Sequence, residues 1–487
     1  MRRLTINPTG VTFRPDDSRV LIRPFIPSDP AAIGKIIARA LALSETETEE
    51  QLAAVTAEFG HRHLDIQAIW RQHFAKVKAH LFSSLPLSET RQLYLGALFS
   101  GEYALESAAL FNPSIVPHPD QGGLAENELR FILSLRATGE GHISSIEFRT
   151  GVIGSDHTVA VEKPSRFVAA PTIDPNPTYR KSIFLRKLTE MGFENTWSRL
   201  VLESLTEAFT LQELEKAMAR AAKSNDPLPR KVQRTMECMR WLAQSNYQVH
   251  FDPAIAVSER IIFPVSSNES NGMEDARFVR FVEDDGSVIY YATYTAYNGR
   301  AILPQLLETE DFLSFRAVTL NGRAVQNKGM AFFPRRIDGR YAMISRQDDE
   351  NLFLMFSDNP HFWSGPTLLR RPAQPWEMVK IGNCGSPIET SAGWLVLTHG
   401  VGPMRKYCIG AILLDLADPS KVLGQLTEPL LSPQQNEREG YVPNVVYTCG
   451  ALLHRGRLIL PYALSDTAAT IVTIEIDELL AAFTPVD

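Results

Sequence analysis

The second half of the chain repeats one short pattern, and this repeat constrains the fold more than any other feature. Each copy has a turn glycine, then an alternating apolar strand, then a polar or aromatic residue six to eight positions after the glycine. The copies are "EDDGSVIYYATYTAY", "RIDGRYAMISRQDD", "TSAGWLVLTHGVG" and "LHRGRLILPYALSD", whose glycines are Gly286, Gly339, Gly393 and Gly456. The earlier segment "NELRFILSLRATGEG" is a fifth copy without the glycine. Repeats of about 50 residues with several short strands are typical of β-propellers. The sequence therefore predicts a mainly β fold, a five-bladed β-propeller, with an irregular sandwich as the alternative.

Two stretches outside the repeat have helical periodicity instead. Residues 30 to about 105 carry apolar residues at three- and four-residue spacing, and a second helical block runs from about 180 to 246. Two capping boxes are predicted at helix starts, formed by Ser44 with Glu47 and by Thr210 with Glu213.

These patterns divide the chain into four parts. The parts are an N-terminal helical region at 1–105, a first blade at 106–175, a helical insertion between the first two blades at 176–249, and the remaining blades at 250–487. Within the first blade, residues 129–153 are predicted to form a strand, a turn and a second strand.

The composition excludes several classes of protein. The 487 residues are 44% hydrophobic and 22% charged, with a formal net charge of −7, whereas a general nucleic-acid binder carries a basic surface. No apolar run approaches the roughly 18 to 20 residues that span a bilayer. The start, "MRRLTINPTGVTFRPDD", lacks the apolar core of a secretory signal. We therefore expect a cytoplasmic protein with no nucleic-acid or membrane partner.

The cysteines argue against a metal site or a disulfide framework. The sequence has four, none of them in a CxxC pair: Cys238, Cys384, Cys408 and Cys449. Scattered cysteines of this kind are typical of a reducing compartment, so we expect no bound metal.

Matching positions of the five repeat copies carry polar or aromatic residues. They are Arg136, Tyr294, Arg346, His399 and Tyr462. Each alone is explained by a surface or core role. Because equivalent strand ends of a propeller face one end of the central channel, the five together predict a cationic and aromatic pocket for a polar, negatively charged ligand.

The stretch "NGMEDARFVRF" places three charges at the mouth of a strand. Glu274, Asp275 and Arg277 directly precede the apolar residues of a buried strand, where unpaired charges would be costly. A structural ion pair between Asp275 and Arg277 is one interpretation, and a catalytic carboxylate is the other.

Several long motifs resemble glycoside hydrolase family 130, the mannoside phosphorylases and their hydrolase relatives. They are "GMEDARFV", "NKGMAFFPRRIDGRYAMISRQDDENL", "KIGNCGSPIETSAGWLVLTHGVGP", "YCIGAILLDLADPSKVLG" and "EGYVPNVVYTCG", with "SLRATGEGHISS" resembling the first blade of that family. The resemblance covers most of residues 250–480 and implies a five-bladed propeller. It also implies that the two helical blocks are additions, used to shape the substrate cleft or to form a homo-oligomer.

The resemblance implies roles for individual residues. Asp275 matches the catalytic acid of the Glu-Asp-x-Arg motif, although Ala276 stands where the family usually has proline. The family's proton is thought to pass through a hydroxyl of the bound sugar. The phosphate-binding residues of the family resemble Arg346, Lys380, His399 and Tyr407. Substrate-binding candidates are Arg136, His142, Arg277, Tyr294, Asn298, Lys328 and Asp466.

The resemblance implies that the protein is an inverting β-mannoside phosphorylase. Such an enzyme cleaves a β-mannosidic bond with inorganic phosphate, gives α-mannose 1-phosphate and needs no cofactor. Its partners would be a β-mannoside oligosaccharide and phosphate. One departure keeps hydrolysis open: "AVQNKGMAFFP" lacks an arginine that contacts phosphate in the family, and Asn327 and Lys328 stand near its place. In a hydrolase, Glu389, Glu437 or Glu439 would activate water. A non-catalytic sugar-binding propeller is the remaining alternative.

Overall fold

The computed structural model describes residues 4–82, 86–174, 176–223 and 229–486. The protein is mainly β, with 37% strand and 26% helix. None of the helices in these four ranges combines the length and apolar content needed to cross a membrane.

The helices fall into an N-terminal block, a central block and a short C-terminal helix. They are α1 (Pro30–Leu41), α2 (Glu45–Phe59), α3 (Ile66–Val77), α4 (Glu89–Leu98), α5 (Lys181–Glu190), α6 (Thr196–Glu203), α7 (Leu211–Ala222), α8 (Arg230–Gln244) and α9 (Ile476–Ala481).

The strands are short and occur along the whole chain. The first fifteen are β1 (Ile6–Phe13), β2 (Val20–Pro24), β3 (Ser100–Ala104), β4 (Ala109–Pro117), β5 (Leu129–Thr138), β6 (Ser144–Ile153), β7 (Val159–Val161), β8 (Thr172–Ile173), β9 (Thr178–Arg180), β10 (Ala208–Thr210), β11 (Tyr247–His250), β12 (Ile261–Ile262), β13 (Gly272–Val282), β14 (Val288–Tyr297) and β15 (Ile302–Thr309). The remainder are β16 (Ser314–Thr319), β17 (Ala331–Phe332), β18 (Tyr341–Ser345), β19 (Leu352–Ser357), β20 (Thr367–Arg370), β21 (Lys380–Asn383), β22 (Ile388–Thr390), β23 (Gly393–Val401), β24 (Tyr407–Leu414), β25 (Val422–Gln425), β26 (Val446–Tyr447), β27 (Leu452–His454), β28 (Arg457–Leu464), β29 (Ala468–Glu475) and β30 (Thr484–Pro485).

Most strands belong to five mainly antiparallel groups, which we number in chain order. Group 1 contains β4–β7 and β12; group 2 contains β13–β16, β11 and β8; group 3 contains β17–β20; group 4 contains β21–β25 and β30; group 5 contains β26–β29 and β1. A short parallel contact of Gly272 with Ser144 joins groups 1 and 2 into one eleven-stranded sheet. Two-stranded ribbons are formed by β2 with β3 and by β9 with β10.

Five apolar clusters lie between neighbouring groups. They contain Phe148 with Phe278 (groups 1 and 2), Phe281 with Tyr341 (groups 2 and 3), Ile344 with Val396 (groups 3 and 4), Leu395 with Leu458 (groups 4 and 5), and Ile459 with Phe131 (groups 5 and 1). The five groups therefore pack against one another in cyclic order, and burial of these faces supplies the main hydrophobic stabilisation.

The repeat glycines occupy tight turns, as the sequence pattern predicts. The turns that lead into β14, β18 and β28 contain Gly286, Gly339 and Gly456, respectively, and β23 begins at Gly393. All four have positive φ angles, between 72° and 151°, which L side chains rarely adopt. The strand–turn–strand prediction for residues 129–153 is likewise confirmed by β5 and β6.

The two helical blocks are present, and both capping boxes are confirmed. The Ser44 hydroxyl accepts a hydrogen bond from the Glu47 backbone N–H, and the Glu47 carboxylate accepts one from the Ser44 backbone N–H. Thr210 and Glu213 make the same two bonds. The helical periodicity does not predict β1 and β2, which lie in the first 24 residues. Strand β1 pairs with β29 and so becomes part of group 5.

A fully buried ionic network attaches the N-terminal region to group 1. Arg19 lies 2.9 Å from both Glu106 and Glu147, while Arg149 lies 2.7 Å from Glu106 and 3.1 Å from Glu147. Burial and the neighbouring Glu147 carboxylate raise the pKa of Glu106 to about 8, in spite of the two arginines. Because breaking such a pair leaves an uncompensated buried charge, the network fixes the packing of these two parts.

Candidate active site

Asp275 lies at a bulge in β13. The pairing of β13 with β14 is regular except between Glu274 and Arg277, where the register shifts, and Asp275 has a φ angle of 55°. A bulge turns a side chain away from the direction that strict alternation would give it. A left-handed backbone at a non-glycine residue is unfavourable, and such strain concentrates at functional sites. Asp275 is also 8% exposed, so its carboxylate depends on protein partners.

One oxygen of the Asp275 carboxylate accepts two hydrogen bonds. Asn112 Nδ2 donates to Oδ1 at 2.7 Å, and Arg136 Nη1 donates to the same atom at 3.2 Å. Arg136 Nη2 also donates to Glu274 Oε1 at 2.8 Å, so one guanidinium bridges two adjacent carboxylates. Within the described ranges no group donates to Oδ2 of Asp275, which leaves this oxygen available to a ligand.

Arg277 supports the backbone of Asp275 rather than its carboxylate. Its Nη1 donates to the carbonyl oxygen of Asp275 at 2.9 Å, its Nη2 to the Tyr447 hydroxyl at 2.6 Å, and its Nε to the carbonyl oxygen of Cys384 at 3.1 Å. The guanidinium is buried. The side-chain ion pair between Asp275 and Arg277, one of the two interpretations of the sequence, is therefore not formed.

The pKa values of the two aspartates of the site, Asp275 and Asp466, are shifted in opposite directions. Burial raises the pKa of Asp275, but the positive charges of Arg136, Arg277 and Lys328 outweigh it, so its pKa lies below the ordinary value. Burial, followed by the negative charge of Asp275, raises the pKa of Asp466 to about 7. At neutral pH Asp275 is ionised, whereas the raised pKa of Asp466 lets that carboxyl group keep a proton closer to neutral pH.

Cationic side chains from groups 3 and 4 form a second cluster in the site. Arg346 Nε donates to the carbonyl oxygen of Lys328 at 3.1 Å, and Arg346 Nη1 lies 3.0 Å from His399 Nε2. Lys380 Nζ donates to Asp349 Oδ2 at 2.9 Å, and the other Asp349 oxygen lies 3.8 Å from Arg346 Nη1. Asp349 thus partly balances the charge of Arg346 and Lys380.

Lys328 and Tyr447 connect the two clusters. Lys328 Nζ lies 3.9 Å from Glu274 Oε2, while its carbonyl oxygen holds Arg346. Tyr447 binds Arg277 through its hydroxyl, and its ring contacts the His399 ring edge-on, with centroids 5.1 Å apart. The carboxylate and the cations therefore line one continuous site.

His399 is a neutral member of this site. Burial lowers its pKa well below the usual range, and the charges of Arg346, Arg277 and Lys380 lower it further. Its Nε2 therefore accepts the hydrogen bond from Arg346. The Tyr407 ring stacks on the His399 ring at 5.8 Å and 8°. A Cβ at Gly382 would overlap the His399 ring, so only glycine permits this close approach.

The substrate-binding candidates divide into two sets. Arg136, Lys328 and Asp466 lie at the site, and His142 lies at its rim, where its ring contacts Tyr441. Tyr294 does not join them, because it is buried in the core and its hydroxyl donates to Glu269 at 2.6 Å. The Asn298 side chain accepts hydrogen bonds from the backbone of the β14–β15 turn.

The three glutamates considered as bases are engaged elsewhere or exposed. Glu389 forms a two-bonded ion pair with Arg335, at 2.9 and 2.7 Å. Glu437 accepts hydrogen bonds from the Gln434 backbone at 2.9 Å and from the Tyr462 hydroxyl at 3.0 Å. Glu439 is an exposed loop residue.

Two residues of the site are absent from the sequence predictions: Asn112 and Tyr447. Asn112 lies in β4 at a register shift and has a φ angle of 48°. The Asn-Pro dipeptide inside an apolar strand is the signal that could have identified it, since proline interrupts a central strand. Tyr447 lies within the motif "EGYVPNVVYTCG", but its position carries no signal of its own.

The described part of the chain holds no group of three or more His, Cys, Asp or Glu side chains arranged to bind a metal ion.

Comparisons with known proteins assign the family. The model of glycoside hydrolase family 130, described as β-1,4-mannooligosaccharide phosphorylase, matches residues 242–484. The chain is 33% identical over 235 residues to the 1,2-β-oligomannan phosphorylase of Thermoanaerobacter sp. strain X514, covering 45% of this chain and 75% of the relative. It is 30% identical over 238 residues to the β-1,2-mannobiose phosphorylase of the same organism, covering 46% and 72%.

Similar solved structures include the β-1,2-mannobiose phosphorylase from Listeria innocua in complex with β-1,2-mannobiose. That structure is 19% identical, with 77% of this chain and 92% of the other covered and a TM-score of 0.45. On the sequence matches, the chain belongs to glycoside hydrolase family 130.

Proposed function

We propose that the protein is an inverting β-mannoside phosphorylase. It cleaves a β-mannosidic bond with inorganic phosphate, releases α-mannose 1-phosphate and a shortened sugar, and runs in both directions without a cofactor. The names of the relatives, an oligomannan phosphorylase and a mannobiose phosphorylase, support this class of reaction. The substrate is a neutral β-mannoside oligosaccharide, and phosphate is the second substrate.

One observation carries the proposal: the site that holds Asp275 also holds a cluster of cations, while Glu389 and Glu437 bind other protein groups and Glu439 is an exposed loop residue. Hydrolysis with inversion needs a second carboxylate to activate water, whereas phosphorolysis needs a cationic site for phosphate. Arg346 and Lys380 supply two positive charges in the site, and Lys328 connects them to the Asp275 side of it. Glu389 and Glu437 already accept hydrogen bonds from protein groups. The arrangement favours phosphate over water as the nucleophile.

Phosphate would bind where the unused donors of this cluster point. Arg346 uses Nε and Nη1 within the protein, while in the described ranges its Nη2 donates to no protein group. Lys380 shares Asp349 with Arg346, and the Tyr407 ring stacks on His399, so an incoming phosphate would share Lys380 with Asp349. Charge-assisted hydrogen bonds of this kind are the strong ones, and the planar arginine matches phosphate oxygens.

The reaction then needs one proton for the leaving sugar. A phosphate oxygen attacks the anomeric carbon from the face opposite the leaving oxygen, so the configuration inverts as the C–O bond breaks. Asp275 directs the proton to the leaving oxygen through a hydroxyl of the bound mannose. Because Asp275 is ionised before substrate binds, it must take up a proton before it can act as the acid, and we infer that Asp466, whose pKa is raised to about 7, supplies that proton.

We also propose that the five strand groups are the blades of a propeller, and that the helical region at 1–105 and the helical insertion at 176–249 are additions to it. The cyclic packing of the groups supports this arrangement. Residues 106–175 then hold most of the first blade and residues 250–487 most of the others. Strand β12 joins the first blade, β8 and β11 join the second, and β1 completes the last one.

Product analysis with and without phosphate tests the function. β-1,2- and β-1,4-linked mannobiose are incubated with the enzyme, and mannose 1-phosphate and free mannose are measured, with the anomer assigned by NMR. We expect α-mannose 1-phosphate only when phosphate is present. Equal turnover to mannose in phosphate-free buffer would identify a hydrolase. Binding without turnover under either condition would identify a sugar-binding protein.

A further inference from the structure

An exposed pair of aromatic rings lies at the rim of the site. His142 is in the tight turn between β5 and β6 and has a φ angle of 61°. Its ring centroid lies 5.6 Å from that of Tyr441, with 33° between the planes, and Tyr441 Oη lies 3.3 Å from His142 Nδ1. Tyr441 is 54% exposed, so a large aromatic face is available to a ligand.

Hydrogen bonds of neighbouring residues place both rings close to the catalytic carboxyl groups. On one side, His142 is two residues from Ser144, whose hydroxyl accepts a bond from Arg136 Nε at 2.9 Å, and Arg136 binds Asp275. On the other side, the Tyr441 backbone donates to Thr467 Oγ1 at 2.8 Å, and Thr467 follows Asp466. The aromatic pair therefore lies directly outside the two aspartates.

The chemistry of this rim differs from that of the cationic cluster. The charged donors for phosphate come from groups 3 and 4, whereas His142 and Tyr441 present aromatic ring faces with a hydroxyl at one edge. Aromatic surfaces with a polar edge suit a neutral ligand that has both apolar faces and hydroxyl groups, which describes a sugar ring.

The N-terminal region holds the turn that carries His142. The Tyr103 hydroxyl, at the end of β3, lies 2.9 and 3.0 Å from the carbonyl oxygens of Glu140 and Ile143, on both sides of His142. A Cβ at Gly139 would overlap the carbonyl oxygen of Ala104, so the turn lies flush against β3. Tyr103 itself is buried and packs against Phe263.

We propose that His142 and Tyr441 form the binding position for the sugar on the leaving side of the cleaved bond, and that Tyr103 positions it. The inference rests on the proposed function for the direction of cleavage. Because the buried aspartates bind the mannose that is transferred, the ring next to it must lie outward, where the aromatic pair is exposed. Residues 1–105, which lie outside the family match at 242–484, then help to select the acceptor.

The test uses the synthetic direction, in which this sugar is the acceptor. With α-mannose 1-phosphate held constant, initial rates are measured against mannose and β-linked mannobiose as acceptors. Tyr441→Ala should raise the KM for the acceptor roughly 3- to 10-fold, the range expected for loss of one aromatic contact, while Tyr441→Phe keeps the ring and stays near the wild type. The KM for phosphate in the cleavage direction should stay unchanged in both variants.

Tyr103→Phe tests the positioning role. It removes only the hydroxyl that holds the turn, so we expect a higher KM for the acceptor, an unchanged kcat and an unchanged KM for phosphate. Phe25→Ala is the control, because Phe25 is 70% exposed and adjoins the opposite end of the β2–β3 ribbon from Ala104. The control should behave as the wild type.

Direct binding keeps this test independent of the proposed reaction. Calorimetry measures the affinity of wild type, Tyr441→Ala and Tyr441→Phe for β-1,2- and β-1,4-linked mannotriose, whether or not phosphorolysis occurs. Weaker binding by Tyr441→Ala alone supports the aromatic position even if the enzyme proves to be a hydrolase. Equal affinity in all three, no binding by the wild type, or an unchanged acceptor KM in Tyr441→Ala would overturn the proposal.

Discussion

Replacing Arg346 with alanine should weaken phosphate binding by an amount that its contacts predict. Its Nε and Nη1 are used within the protein, by the Lys328 carbonyl and by His399, which leaves Nη2 for the ligand. One charge-assisted hydrogen bond contributes about 1.5 to 3 kcal/mol, which corresponds to a 10- to 150-fold rise in the KM for phosphate. A mannoside carries no charge, so its KM should change little. Arg346→Lys keeps the charge but loses the planar fork, and an intermediate KM is expected.

The assay measures initial rates of cleavage against phosphate concentration and then repeats the series with arsenate, which has the same shape and charge. Arg340→Ala is the matched control, since Arg340 is exposed at the opposite end of the same strand, β18. Thermal unfolding shows whether the variants are folded. If Arg346→Ala loses affinity for the sugar while its KM for phosphate and for arsenate equals that of the wild type, Arg346 is not part of a phosphate site.

Three further predictions concern the carboxyl groups. Asp275→Asn should lower turnover about 10²- to 10⁴-fold with the fold intact, because an amide cannot transfer the proton; a variant retaining a tenth of wild-type turnover would make Asp275 structural. Since the pKa of Asp466 is about 7, wild-type kcat/KM should fall as pH rises through 7. Asp466→Asn should show only the part of the decline that comes from the titration of phosphate itself. Superimposable pH profiles of the two enzymes would exclude Asp466 as the proton source. The pKa of Glu106 is about 8 in the folded protein and near 4.5 when the side chain is exposed in the unfolded chain. Between these two pH values the folded state binds more protons than the unfolded state, so the free energy of unfolding falls as pH rises from about 5 to 8. Chemical denaturation of Glu106→Gln should show a weaker dependence over that interval, and an identical slope would contradict the shift.

The local features of the fold could be predicted from the sequence because they depend on neighbouring residues. Capping boxes join residues three apart, and each repeat glycine permits a turn that its own backbone requires. The contact of Arg346 with His399 also follows from the repeat, because matching positions of successive copies lie close together. Tyr294 occupies a matching position too, yet its side chain lies in the core. Adjacent strand residues point to opposite faces, so an offset of one residue in the repeat reverses the direction of the side chain.

The partners of Asp275 could not be predicted in this way. Asp275 and Arg277 are two residues apart, which in a regular strand places them on one face and favours an ion pair. The bulge between Glu274 and Arg277 separates the two side chains. Asn112, which binds Asp275 instead, is 163 residues away in the sequence, and nothing local to Asp275 indicates that contact.

The pairing of β1 with β29 has a consequence for how the chain is made. Thr9 bonds to the carbonyl oxygen of Ile471, 462 residues further along the chain. A ribosome adds roughly 5 to 20 residues per second, so the first strand waits roughly 20 to 90 seconds before its partner is synthesised. During that time β1 is an open strand edge, which can pair with other chains. Recombinant yield should therefore depend on what is attached to the N-terminus: a fused domain that folds early would shield β1 until β29 leaves the ribosome.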